Sequence, residues 1–176
     1  ENLLRGIYSY GFENPSYIQT HSVPPLVKGT DLIAQAQSGT GKTGAFVIGS
    51  LQKLDEEEKS TQILIISPTH ELVHQSYSVV KELSKYMDIT SLEVIGGTSV
   101  NDCKRDLNSC PQVIVGSPGR VLDMIQRKYL FTDKITTLIF DEADEILSQG
   151  FKDTIYHIVQ YMSAQTQICL YSATIP

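Results

Sequence analysis

Ala36-Gln37-Ser38-Gly39-Thr40-Gly41-Lys42-Thr43 follows the apolar run Leu32-Ile33-Ala34 with only Gln35 between them. The eight residues match the phosphate-binding pattern G-x-x-x-x-G-K-[ST], except that Ala36 stands at the first glycine. Glycines at Gly39 and Gly41 let successive backbone N–H groups turn inward around phosphate oxygens, and a helix opening at this point adds its positive end. Lys42 is then the cation for the β and γ phosphates, and the Thr43 hydroxyl a ligand for Mg²⁺. The plainer alternative is a glycine-rich turn with a lysine beside it; the strand before and the helix after speak against it. ATP or GTP is the expected ligand.

The pattern has meaning only on the right scaffold, and the rest of the chain predicts one. Short apolar, β-branched runs occur at Leu32–Ala34, Ile63–Ile66, Leu92–Ile95, Val113–Val115, Leu138–Phe140 and Ile168–Tyr171. Helical segments are expected near 16–27, 42–54, 69–87, 100–109, 118–128 and 142–162, the last open to a break at Gly150, and a helix is expected at Glu1. Near-continuous apolar strands alternating with helices indicate an α/β domain, a parallel β-sheet with helices on both faces. Ligands of such sheets bind beyond the carboxyl ends of the strands.

Composition narrows the function classes. The chain has 176 residues, 41% hydrophobic and 19% charged, as expected of one globular domain. Its net charge of −6 argues against general stickiness for nucleic acid, so any phosphate contact must come from a few placed groups. Cys103, Cys110 and Cys169 form no CxxC pair, which disfavours a disulfide framework or a cysteine zinc site. No apolar run nears the ~18 residues of a membrane span, and no charged-then-apolar leader opens the chain. A cytosolic or nuclear protein without membrane contact is expected.

A phosphate-binding loop needs an acid from another strand. Thr137-Leu138-Ile139-Phe140 runs into Asp141-Glu142-Ala143-Asp144. Asp141 fits the metal shell, directly or through water, and Glu142 fits the base that orients and deprotonates an attacking water. Acids also gather at helix N-termini for dipole reasons, but that does not explain why these follow a strand. A competing signal lies in Pro68-Thr69-His70-Glu71-Leu72-Val73-His74-Gln75, where HELVH fits the zinc-peptidase pattern H-E-x-x-H. A peptidase also requires a third ligand, and the extended pattern fails because Tyr77 and Val80 occupy its glycine and histidine positions.

Together these residues resemble the first of the two RecA-like domains of a DEAD-box RNA helicase, over essentially all 176 residues. Asp141–Asp144 spells DEAD; Phe12 with Pro15-Ser16-Tyr17-Ile18-Gln19 resembles the family's Q motif, Ser172-Ala173-Thr174 its SAT motif, Gly96-Gly97 its GG element, and Ser117-Pro118-Gly119-Arg120 its TPGR element. PTHELVHQ falls where the family has PTRELAxQ, with His70 in place of arginine. The resemblance implies a RecA-like P-loop NTPase domain spanning 1–176, with a second domain beyond it absent from this chain. That second domain supplies arginines facing the γ-phosphate, so this chain alone is expected to be weakly active.

By the same resemblance, Ser38, Gly39, Thr40, Gly41, Lys42 and Thr43 hold the nucleotide phosphates, Gln19 reads the adenine edge and Phe12 stacks on the base. Glu142, Lys42 and Asp141 carry catalysis, with Thr43 and Asp141 toward Mg²⁺. Pro68, Thr69, His70, Gly96, Gly97, Pro118, Gly119 and Arg120 would line an RNA track read through its backbone, independent of sequence. Asp144, Ser172 and Thr174 would couple the nucleotide site to the rest of the domain. The implied activity is RNA-stimulated ATP hydrolysis that unwinds short RNA duplexes. The implied protein is a cytoplasmic monomer in translation initiation with scaffold partners. The alternative is a nuclear, splicing-linked clamp.

Overall fold

The computed structural model describes residues 1–175. The elements run α1 (Asn2–Tyr10), α2 (Tyr17–Val27), β1 (Leu32–Gln35), α3 (Lys42–Lys53), β2 (Ile63–Ile66), α4 (His70–Leu83), β3 (Ser91–Val94) and α5 (Val100–Leu107). They continue with β4 (Val113–Gly116), α6 (Pro118–Gln126), β5 (Thr137–Asp141), α7 (Ala143–Ser148), α8 (Lys152–Gln160) and β6 (Gln167–Ser172). All six expected strands form, and every pairing is parallel, in the order β1-β6-β5-β2-β4-β3. The expected 142–162 segment is two helices, because Gly150 adopts φ 85, a left-handed conformation that ends α7 cheaply. The expected 69–87 helix stops at Leu83. Position 176 of the expected domain lies outside the described residues.

Burial follows strand alternation. Ile63, Ile65, Val113, Val115 and Ile139 face one cluster with Phe46, Leu51, Val73 and Leu83 of α3 and α4. Leu64, Ile66, Ile114, Leu138 and Phe140 face the other, with Met124, Ile146 and Ile158 of α6 to α8. Both faces of the central strands are thus covered, which is why these strands read as unbroken apolar runs. Among the described residues, the three cysteines are free and no helix is long and apolar enough to cross a membrane.

The strand order sorts the loops. The carboxyl ends of β1, β6 and β5 are neighbours and lead into 36–41, 173–174 and 142. Those of β2, β4 and β3 are neighbours and lead into 67–69, 117 and 95–99. One end of one sheet thereby carries the glycine loop 36–41 and Glu142 in one half, beside a second cluster of loops that includes Gly96-Gly97.

Candidate functional site

Gly39 and Gly41 hold φ 79 and φ 87, and Gly41 is the N-cap of α3. Any side chain would strain these positions, so the loop winds tightly onto the helix N-terminus. Thr40 Oγ1 donates to Gln37 O at 2.6 Å and braces the turn. Lys42 begins the helix only 5% exposed. Its Nζ pairs with Asp141 Oδ1 at 3.1 Å and also with Glu142 Oε1. Asp141 is 1% exposed at the end of β5. Burial pushes its carboxyl above the ordinary range, and the neighbouring Lys42 ammonium works against that rise. Glu142 takes φ 52 and ψ 50 as the N-cap of α7. A left-handed glutamate costs about 1–2 kcal/mol. That conformation accompanies its contact with Lys42.

These groups line one cleft of about 330 Å³ with Ser38, Thr43, Gly44, Tyr10 and Phe12. Leu72, Gln75, Ser76 and Val79 form another wall. Their i, i+3, i+4, i+7 spacing is a single face of α4, which sequence reading had assigned no part in this site. Phe12 is not a free ring. It packs on Gly44, where a Cβ would come within 3.0 Å of it, and lies 4.8 Å from Tyr10. Gln19 stands behind the loop: Nε2 donates to Gly41 O at 3.1 Å, and Oε1 accepts from Ser16 N at 2.9 Å in the capping box of α2.

Asp144 is hydrogen-bonded to the end of β6 and the residues just after it. Thr174 Oγ1 donates to Asp144 Oδ2 at 2.9 Å, and Asp144 N donates to Ser172 Oγ at 3.2 Å. Desolvation works to raise the Asp144 carboxyl, yet the hydrogen bonds from Thr174 and Ser172 hold it below its ordinary range.

In the other half, Thr69 caps α4 by accepting from Leu72 N at 3.2 Å. Ser117 is the N-cap of α6, with Pro118 in its first turn and open space around Gly119. His70 opens α4 exposed, its Nε2 3.9 Å from where a Cβ on Gly96 would stand. Gly97 has φ 81. Arg120 donates to Thr98 Oγ1 at 3.0 Å and Thr98 O at 2.8 Å, so its guanidinium ties α6 to the Gly96-Gly97 loop. His74 does not face a metal cluster. It pairs with Glu93 of β3, and among the described residues no three His, Cys, Asp or Glu side chains could hold a metal ion. The HELVH peptidase reading therefore lacks its third ligand.

Residues 16–176 match the DEAD/DEAH box helicase family. Relatives named ATP-dependent RNA helicase eIF4A are 55% identical over 174 residues in Chaetomium globosum and 50% identical over 175 residues in Lodderomyces elongisporus. Each alignment covers 99% of this chain but 44% of the relative, so the chain spans less than half the length of these proteins. The Saccharomyces cerevisiae Dbp5 structure bound to RNA and ADP BeF3 superposes with a TM-score of 0.91 at 37% identity, over 99% of this chain and 44% of that one.

Proposed function

This chain belongs to the DEAD/DEAH box helicase family, and from that premise we propose that it is the ATP-binding half of a two-domain, RNA-stimulated ATPase that remodels short RNA duplexes. The observation that carries the reading is Lys42, buried between Asp141 and Glu142 at the mouth of a helix-capped glycine loop. An ammonium held by two carboxylates is not available to phosphates. Nucleotide must draw Lys42 out, which at one stroke uncovers the acid for the metal and the acid for the water.

The residues fit a divalent cation. Asp141 Oδ1 is buried and has no hydrogen-bond partner beyond its ion pair with Lys42, and Thr43 lines the same cleft. A bound Mg²⁺ would neutralise charge on the phosphate oxygens. In the proposed step, Glu142 accepts a proton from water as the water oxygen bonds to the γ-phosphorus. The bond to the β–γ bridging oxygen breaks, and ADP leaves with that electron pair.

Gln19 has a reason to prefer adenine. Its amide carries two N–H groups and two oxygen lone pairs, of which Gly41 and Ser16 take one each. The spare donor and acceptor match adenine N7 and N6, a pairing guanine cannot make. Gln19→Ala is expected to erase about 1–3 kcal/mol of discrimination between ATP and GTP and to lower stability by about 1 kcal/mol through the lost cap. Competition binding of the two nucleotides checks this, and unchanged selectivity would contradict it.

RNA is proposed to lie across Pro68–His70, Gly96–Gly97 and Pro118–Arg120, with backbone amides and helix N-termini on its phosphates. Arg120 serves there as a brace for the glycine loop as much as a cation. His70 is a weak point, since a guanidinium is always charged and offers a planar fork of donors that an imidazole lacks. His70→Arg should tighten RNA binding and steepen its salt dependence by up to about 0.7 in the log–log slope. Identical slopes for both proteins would leave His70 as a loop residue only.

The eIF4A names of the relatives favour a cytoplasmic role in translation initiation, with scaffold proteins as partners, over the splicing-linked clamp. Strand separation of a short RNA duplex by the full-length protein tests the function. ATP-dependent release is expected; release that ignores ATP would refute it.

A further inference from the structure

We propose that Ser67 is a positioning residue of the nucleotide site: it donates a hydrogen bond to Asp141 once Lys42 has moved to the phosphates. This rests on the nucleotide reading above and adds to it a side chain that no motif supplies. Ser67 is 0% exposed, and its Oγ is buried with no hydrogen-bond partner. An unsatisfied buried hydroxyl costs free energy and demands an explanation.

Its place in the sheet supplies one. Ile66, the last residue of β2, is in register with Phe140, and the same register carried one residue further sets Ser67 across from Asp141, the last residue of β5. The backbone of Ser67 still follows the ladder, donating to Gly116 O at 3.1 Å. Ile63 and Ile65 of β2 and Ile139 of β5 share the face that packs on α3. Continued alternation puts Ser67 and Asp141 on that same face, on neighbouring strands of a kind spaced about 4.8 Å apart. In the free protein Asp141 Oδ1 is held by Lys42 at 3.1 Å. When Lys42 is drawn away, that carboxylate loses its donor beside a hydroxyl that has no acceptor. Ser67 also directly precedes Pro68 and Thr69, so the donor is fixed to the loop proposed to meet RNA.

The arrangement separates two effects. Before nucleotide binds, the hydroxyl makes nothing, so Ser67→Ala should leave the melting temperature of the free protein unchanged or raise it. After nucleotide binds, its loss should weaken MgADP affinity by about 10- to 100-fold, the worth of a hydrogen bond to a charged acceptor. Ser67→Cys, similar in shape with a weaker donor, should fall between. Calorimetric titration of MgADP into full-length wild type, Ser67→Ala, Ser67→Cys and Lys42→Ala, with melting of each free protein, makes the test. Wild-type affinity in Ser67→Ala, with Lys42→Ala weakened, would overturn the role of Ser67 alone. Affinity insensitive to Lys42→Ala would overturn the nucleotide reading and this proposal with it.

Discussion

Glu142→Gln is expected to lower ATP turnover by about 10²–10⁴-fold, the contribution of a positioned general base, while nucleotide binding persists. The amide keeps the shape and the left-handed backbone of Glu142 but cannot take a proton from water. It also no longer holds Lys42 by charge, so affinity for ATP should be retained or slightly higher. A loss seen in turnover and not in binding is the mark of an interaction made in the transition state. Single-turnover phosphate release beside equilibrium binding checks it. Turnover near wild type would remove Glu142 from the role of base.

Lys42→Ala should act on both function and fold. Removing the cation from the phosphates is expected to weaken ATP binding by about 10- to 100-fold, in line with charged hydrogen bonds worth about 1.5–3 kcal/mol. In the free protein the same change leaves Asp141 and Glu142 buried together without a partner. Breaking a buried pair this way costs about 3–5 kcal/mol. The pH dependence follows from Asp141, whose folded carboxyl burial already holds above its ordinary value of 3.8 and which loses the Lys42 ammonium that restrains that rise. The charged form is the disfavoured one. The destabilisation is therefore present at neutral pH and shrinks as acid protonates the carboxyl on the way down to 3.8. Thermal melting of wild type and variant across pH measures this. A gap that stays constant or widens in acid would contradict the buried triad.

Much of the scaffold was legible because its signals are local. β2, β4 and β5 are buried on both faces, and a strand so placed must be apolar at every position. Gly39, Gly41 and Lys42 are legible because their spacing is a local pattern for a loop wound onto a helix N-terminus. What stayed hidden depends on contacts between distant segments. Nothing in the local sequence of Lys42 says that it turns back onto Asp141 and Glu142. Nor does Arg120 announce that its guanidinium goes to Thr98. The α4 face of Leu72, Gln75, Ser76 and Val79 did carry a periodic signal, but periodicity names a buried or cleft-facing stripe without saying which element it meets. HELVH shows the opposite hazard: its spacing is right, but the three-dimensional partner is missing, because His74 meets Glu93 alone.

We propose that this chain carries the ATP-hydrolysing half of an RNA-stimulated ATPase. Phosphate release from MgATP by the full-length protein, with and without a single-stranded RNA of mixed sequence, tests it most directly. Slow release without RNA, clear acceleration by RNA, and loss of both in Glu142→Gln are expected. Release that is indifferent to RNA, or that survives in Glu142→Gln, would contradict it.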